Sequence, residues 1–319
     1  MNGVASAATL RSVSPNPQAI RPGTPVARSD QKPAAIDSAR LDAAIAWAEA
    51  AYHHCDVCAE RCGVDRHAGP AGVCGLPAEG RIYKEYLHLG EERRFVPAHA
   101  IYLTGCNFRC AFCSDWDQVT APLAHGVSVD PRALAARIAQ RRSEGAVCVD
   151  FVGGLPDVNV LYILRTLAHC PPDTHVVWNT NLWTTEIAID HLTGIVATWL
   201  VDLKFGNDEC ARKLSRSKDY WATLTRLLAH LEGRGEVLVR HLLMPGHLDC
   251  CTRPTLAWLE SNAPWAAVNL MTGYAPYRLR GARTPMSGHI DSAEVRAATA
   301  DFRARRIGDK LLDGQELAE

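Results

Sequence analysis

Cys106, Cys110 and Cys113 lie in one short run, Thr104-Gly-Cys-Asn-Phe-Arg-Cys-Ala-Phe-Cys-Ser114, spaced C-x3-C-x2-C. Three thiolates on one loop can hold three irons of a cubane [4Fe–4S] cluster, whose protein ligands are normally four cysteines. No fourth cysteine is close in sequence, so one iron would stay open to a substrate or cofactor. Zinc fits less well, because it takes four ligands and usually paired C-x2-C spacing. A second group, Cys55, Cys58, Cys62 and Cys74, is spaced C-x2-C-x3-C-x11-C. Four thiolates in a Gly- and Pro-rich stretch suit either a structural zinc or a second, fully ligated cluster, and spacing leaves both open. The remaining cysteines, Cys148, Cys170, Cys210, Cys250 and Cys251, show no ligand spacing and read as core or surface thiols.

These groups sit in an ordinary globular composition. The chain has 319 residues, 47% hydrophobic and 22% charged, with a net charge of −1. A charge near zero argues against a nucleic-acid or membrane partner held by electrostatics, and no apolar run approaches a bilayer span. Twelve cysteines in a short secreted chain would suggest a disulfide scaffold. Here the chain is long, residues 1–36 have no apolar signal core, and seven cysteines fall into ligand-like groups, so a reducing cytoplasmic setting is expected.

The elements that must position the cysteines can be read from pattern. Residues 1–36, rich in Ala, Ser and Pro, are expected to be a disordered tail. Residues 37–95 are expected to form a capped helix from Asp37 and then the cysteine-rich, metal-binding extension. Strand patterns follow at 98–103, 147–152, 175–179, 199–203, 236–243 and 267–271. Helical patterns intervene at 158–169, 186–192, 220–231 and 253–262, with another opening at Asp130-Pro131, an N-cap followed by proline at the first helical position. Alternation of this kind predicts a parallel α/β fold over 96–281. A C-terminal helical segment, 282–319, is predicted to start at Asp291. Pattern alone does not separate a barrel from an open doubly wound sheet.

The triplet, together with Trp178-Asn-Thr-Asn181, Asp202-Leu-Lys-Phe-Gly-Asn207, Arg240-His-Leu-Leu-Met-Pro-Gly-His247 and the residues from Cys62 to Glu92, resembles the radical S-adenosylmethionine (SAM) enzymes. The branch it resembles is that of pyruvate formate-lyase activating enzyme-like proteins. The resemblance implies a partial (β/α)6 TIM-like barrel with the triplet on the loop after the first strand. It implies a [4Fe–4S] cluster at Cys106, Cys110 and Cys113 that binds SAM and cleaves it reductively to a 5′-deoxyadenosyl radical. It further implies an aromatic residue, Phe112, near the adenine, and a flavodoxin- or ferredoxin-like electron donor.

Active sites of parallel α/β enzymes lie at the carboxyl ends of the strands. Gly153 and Gly154 end the second strand and resemble a Gly-Gly-Glu-Pro motif that holds the SAM amino group, except that Leu155 stands in the glutamate's place. Asn179 and Asn181 can donate and accept, which suits ribose hydroxyls or a substrate; Asn181 equally suits a helix cap. Asp202 and Lys204, two apart, point to one side, where Lys204 would meet the SAM carboxylate or simply Asp202. Arg240, inside an apolar strand, needs a carboxylate partner, Asp202 or that of SAM. His241 faces the other way and reads as structural, and His247 could face the pocket.

The expected function is radical SAM chemistry, with a glycyl-radical-enzyme activase as one version. A second is an epimerase or other modifier of a sugar or natural product, with Cys250 or Cys251 as the thiol hydrogen donor. A third is a non-catalytic iron–sulfur or zinc protein. A glycyl radical enzyme or a small molecule would be the substrate, and no nucleic acid or membrane is expected as a partner.

Overall fold

The structure, a computed structural model, describes residues 35–90 and 92–317. All but the last two residues of the expected disordered tail, 1–36, lie outside the described residues. Of those two, Ile36 is buried and donates its N–H to Pro172 O (2.8 Å).

Ten strands form one sheet: β1 Arg81–His88, β2 Ala98–Leu103, β3 Val127–Ser128, β4 Cys148–Gly153, β5 Val176–Thr180, β6 Thr198–Asp202, β7 Glu236–Leu242, β8 Ala267–Met271, β9 Lys310–Leu312 and β10 Gln315–Glu316. Their order is β10-β9-β8-β7-β6-β5-β4-β2-β1-β3. From β2 to β9 every pairing is parallel, and β1, β3 and β10 are antiparallel additions at the edges. Six of the parallel strands coincide with the expected segments. The seventh, β9, lies in the C-terminal segment expected to be helical, after the helix Ser292–Ala304. The strand β1 was also unanticipated, and because it pairs with β2, the sheet begins inside the extension 37–95.

Local chemistry explains the helix starts. Asp130 Oδ1 accepts from Arg132 N (2.9 Å) and Ala133 N (3.2 Å), with Pro131 at the first helical position. Asp37 and Asp291 cap their helices in the same way, each substitution of such a cap being worth about 1 kcal/mol.

Strand periodicity organises the inside of the sheet into layers. Ala98, Cys148, Val177, Leu200, Leu238, Ala267 and Leu311, one from each parallel strand, pack into a single buried cluster with Phe95. Residues from seven strands meet at one point only if the sheet curls around it, as in a TIM-like barrel. Arg94 reinforces the curl at the amino ends of the strands, pairing with Glu236 (3.0 Å), Asp309 (3.3 Å) and Glu316 (3.0 Å). Two residues further along five of these strands comes a polar layer: Asp150, Asn179, Asp202, Arg240 and Asn269. The next positions, Tyr102, Val152, Lys204, Leu242 and Met271, line a cavity at the carboxyl ends. Helices cover the outer face with an extensive apolar core that includes Trp178 and Trp199.

Candidate active site

A cavity of about 340 Å³ opens at the carboxyl ends of the strands. Its wall brings together Cys106, Cys110, Cys113, Phe112, Gly153, Gly154, Asn179, Asn181, Asp202, Lys204 and Arg240, every residue singled out for the triplet cluster or for SAM. The cysteine loop leaves β2 directly, which carries the three thiols over the barrel mouth. Burial pushes the Cys106 thiol up to about 12 and raises Cys110 and Cys113 as well.

The cation pair is anchored from below. Register places Asp202 of β6 opposite Arg240 of β7, and Arg240 Nε donates to Asp202 Oδ1 at 2.8 Å. Lys204 Nζ donates to Asp202 Oδ2 at 2.6 Å, and Arg240 Nη2 to Asn179 Oδ1 at 2.6 Å. Asn179 in turn donates to Asp150 (3.4 Å). Burial alone would raise the pKa of Asp202, but the Arg240 and Lys204 charges hold it down to about 2. Burial opposes the charge on Lys204, yet the Asp202 carboxylate keeps its pKa above the usual lysine value. Two cations thus share one carboxylate, and Lys204 keeps N–H donors for an anionic ligand.

This arrangement makes stability depend on acid. The folded pKa of about 2 lies below the unfolded value, so the stabilisation is complete above that unfolded value and disappears as pH falls through the folded one. The expected loss is on the order of 2 kcal/mol between roughly pH 4 and pH 2. Urea midpoints measured across that window should fall in the wild type more steeply than in Asp202→Asn; parallel curves would refute the assignment.

Gly153 and Gly154 have a packing reason of their own. A Cβ on Gly154 would lie 2.1 Å from Gly105 O, and one on Gly153, at φ +84°, 2.8 Å from Tyr102 Cα. The pair lets the loop after β4 press backbone to backbone against the cysteine loop. Leu155 is buried between Cys58, Cys74, Leu76 and Val158, and it also touches the cavity. Asn181 lines the cavity too, but its side chain is committed: Nδ2 donates to Asn107 Oδ1 (3.0 Å), and Oδ1 accepts from Trp183 N (2.9 Å). It closes a turn, whereas the next helix is capped by Thr185.

Cys55, Cys58, Cys62 and Cys74 line one small space, with Arg66, Asn107 and Gly72 around it. This group abuts the triplet. Cys106 packs on the cluster containing Cys58 and Cys74, and Arg109 ties the triplet loop to Val73 O across the gap. Arg66 is 2% exposed, lies 4.0 Å over the Tyr52 ring and donates to Leu76 O (3.2 Å), Val158 O (2.8 Å) and Pro77 O (2.7 Å). Among the described residues no carboxylate pairs with it. A buried guanidinium that faces thiols and carbonyls is costly unless an anion lies nearby, and metal-bound thiolates would supply one. The thiols of Cys55, Cys58, Cys62 and Cys74 thus share their small space with a buried cation.

Three residues that the sequence raised as candidates for the site stand elsewhere. Cys250 and Cys251 do not line the cavity; Cys251 is fully buried. His247 does not face it either. All three turn toward Cys210, on the helix Asp208–Ser215, which sequence pattern missed. His241 is buried, with Nδ1 toward Leu203 O (2.7 Å) and Nε2 toward Thr252 Oγ1 (3.0 Å); burial lowers its pKa to about 4, so it is neutral. Among the described residues no helix is long and apolar enough to cross a membrane.

The chain is similar to several known proteins. The uncharacterized protein MJ0674 of Methanocaldococcus jannaschii is 39% identical over 242 residues, 74% of this chain and 70% of that protein. A radical SAM methyltransferase from Sphaerobacter thermophilus is 15% identical with a TM-score of 0.49, covering 68% of this chain and 67% of that one. SuiB of Streptococcus suis, bound to precursor peptide SuiA, is 14% identical with a TM-score of 0.47, covering 65% of this chain and 46% of its own, so this chain spans less than half of SuiB's length. The family model described as the Radical SAM superfamily matches residues 101–259, a stretch that contains the end of β2, the triplet and all of β4 to β7. That stretch holds three thiols, a glycine turn and a cation pair around one cavity, and residues 101–259 form a domain of the radical SAM superfamily, whose members bind a [4Fe–4S] cluster and cleave SAM.

Proposed function

We propose that this protein abstracts hydrogen from a polypeptide substrate, as an activase-like enzyme that installs a glycyl radical on a partner. The chemistry supplied when cluster and cofactor are bound is reductive SAM cleavage, fed by a flavodoxin- or ferredoxin-like donor. In this reading Cys106, Cys110 and Cys113 hold the cluster, and Phe112 lies against the adenine. Lys204 and Arg240 face the SAM carboxylate, with Asp202 orienting both, while Asn179 and the Gly153-Gly154 turn complete the cradle. Cys55, Cys58, Cys62 and Cys74 hold a second metal–thiolate centre, and Arg66 offsets its charge.

The observation that carries the substrate reading is the size of the cavity. About 340 Å³ lies at the small end of ordinary ligand pockets, roughly 300–1,000 Å³. Cluster and SAM would occupy it, so the substrate must present its hydrogen at the mouth. There Tyr277 is 62% exposed, on the same loop as Gly273, Tyr274 and Ala275. An extended loop of a partner protein can reach such a position. The epimerase reading has less support, because both candidate donors, Cys250 and Cys251, lie outside the cavity.

The test uses glycyl radical enzymes encoded near this protein, labelled with α-deuterated glycine. After anaerobic reconstitution and reduction, SAM should give a carbon-centred radical on the partner by EPR and deuterium in 5′-deoxyadenosine. Abundant 5′-deoxyadenosine with neither signal would sink the activase reading while leaving SAM cleavage intact.

A further inference from the structure

We propose that Cys210, His247, Cys250 and Cys251 form a tetrahedral site for a single zinc ion. One ligand atom from each lies within 4.8 Å of all the others. Cys210 Sγ is 3.7 Å from Cys250 Sγ, and Cys250 Sγ is 3.9 Å from Cys251 Sγ. His247 Nδ1 is 3.7 Å from Cys210 Sγ, 3.2 Å from Cys250 Sγ and 3.7 Å from Cys251 Sγ. Zinc bonds of about 2.3 Å to sulfur and 2.0–2.1 Å to nitrogen, set at tetrahedral angles, require edges of about 3.8 Å between sulfurs and about 3.5 Å between sulfur and nitrogen. The observed edges match. The sulfurs are too far apart for a disulfide. They are too close for a cubane, which places each thiolate on a different iron.

The backbone is built to bring these residues together. The turn Leu248–Thr252 is π-helical, with Cys251 N and Thr252 N both donating to His247 O (2.9 and 3.2 Å). This wide turn aims two consecutive cysteines at one point, which a strand would not do. Asn207 joins the two arms: Oδ1 accepts from Cys210 N (2.8 Å) and Nδ2 donates to Cys250 O (2.6 Å). Gly206 permits the close approach, since a Cβ there would lie 2.5 Å from Cys251 O. Glu294 accepts from Gly246 N and Leu248 N on either side of His247. Three Cys ligands and one His leave no open position, which marks a structural rather than a catalytic zinc. On binding, the three thiols release their protons and His247 coordinates as the neutral ring. The ion would clamp the loops that follow β6 and β7, the strands carrying Asp202 and Arg240.

Zinc K-edge absorption on full-length protein, purified without added zinc and then loaded anaerobically with iron and sulfide, tests this. The expected result is about one zinc per chain with three sulfur neighbours and one nitrogen. His247→Cys should keep the ion and convert the shell to four sulfurs, and Cys210→Ser with Cys250→Ser should remove it while iron stays. Iron-loaded wild type without zinc would overturn the proposal. So would zinc in a four-sulfur shell that His247→Cys leaves unchanged, because that ion would sit at Cys55, Cys58, Cys62 and Cys74. A lone ferrous ion at the site, or a disulfide among the three cysteines by mass spectrometry of anaerobic protein, would overturn it too.

Discussion

Cys110→Ala will leave a folded protein that makes no detectable 5′-deoxyadenosine. Cys110 is buried and lines the cavity beside Lys204. Its thiol packs as a small apolar group, so the stability lost should be near the ordinary value of about 1 kcal/mol for a point substitution. The chemical loss is of another order. Even outer partners of a metal ligand change affinity or activity by roughly 10–100-fold, and Cys110 is in the first coordination sphere of the proposed cluster. Reconstituted variant and wild type, each reduced and given SAM, should differ by more than about 100-fold in 5′-deoxyadenosine. If the second cysteine group also carries four irons, iron should fall from about eight to about four per chain. A variant that cleaved SAM at the wild-type rate would remove Cys110 from the cluster.

Arg66→Met should cost about 5 kcal/mol and empty the proposed second metal centre. Arg66 holds three backbone carbonyls, on Leu76, Pro77 and Val158, that its loss would leave unpaired indoors. Hydrogen bonds from a charged donor contribute about 1.5–3 kcal/mol each, and Met restores only the packing of the stem. The guanidinium also lies beside Cys55, so its removal takes away the charge that favours that thiolate. Lysine cannot span three carbonyls with a planar fork, and Arg66→Lys should recover only a minor part of the loss. Anaerobic thermal unfolding with metal analysis of each variant checks both claims. A drop below about 1 kcal/mol with full metal content would mean that Arg66 serves neither the fold nor the centre.

Local chemistry was legible in the sequence. The triplet's ligands fall within eight consecutive positions, so their spacing alone limits what they can hold. The caps at Asp37, Asp130 and Asp291 and the long alternating strands are likewise short-range signals, and the parallel α/β core followed from them. The barrel-edge strands β1, β9 and β10 were not legible, because β9 and β10 are too short to show a period and β1 runs straight out of the aperiodic extension.

Neighbours distant in the chain were decided by tertiary structure. Asp202 and Arg240, 38 residues apart, meet because the β6–β7 register sets them side by side. Cys210 and Cys250, 40 residues apart, meet because a π-helical turn and a glycine bring two loops into contact. The sequence by itself determined that three thiols stand together after the first core strand with one coordination position unclaimed. Only the fold decided what surrounds that position, and that Cys250 and Cys251 turn away from it. The reason is physical: loop spacing constrains ligands that share one loop, whereas ligands on different strands are joined by register and closure, which no local pattern records.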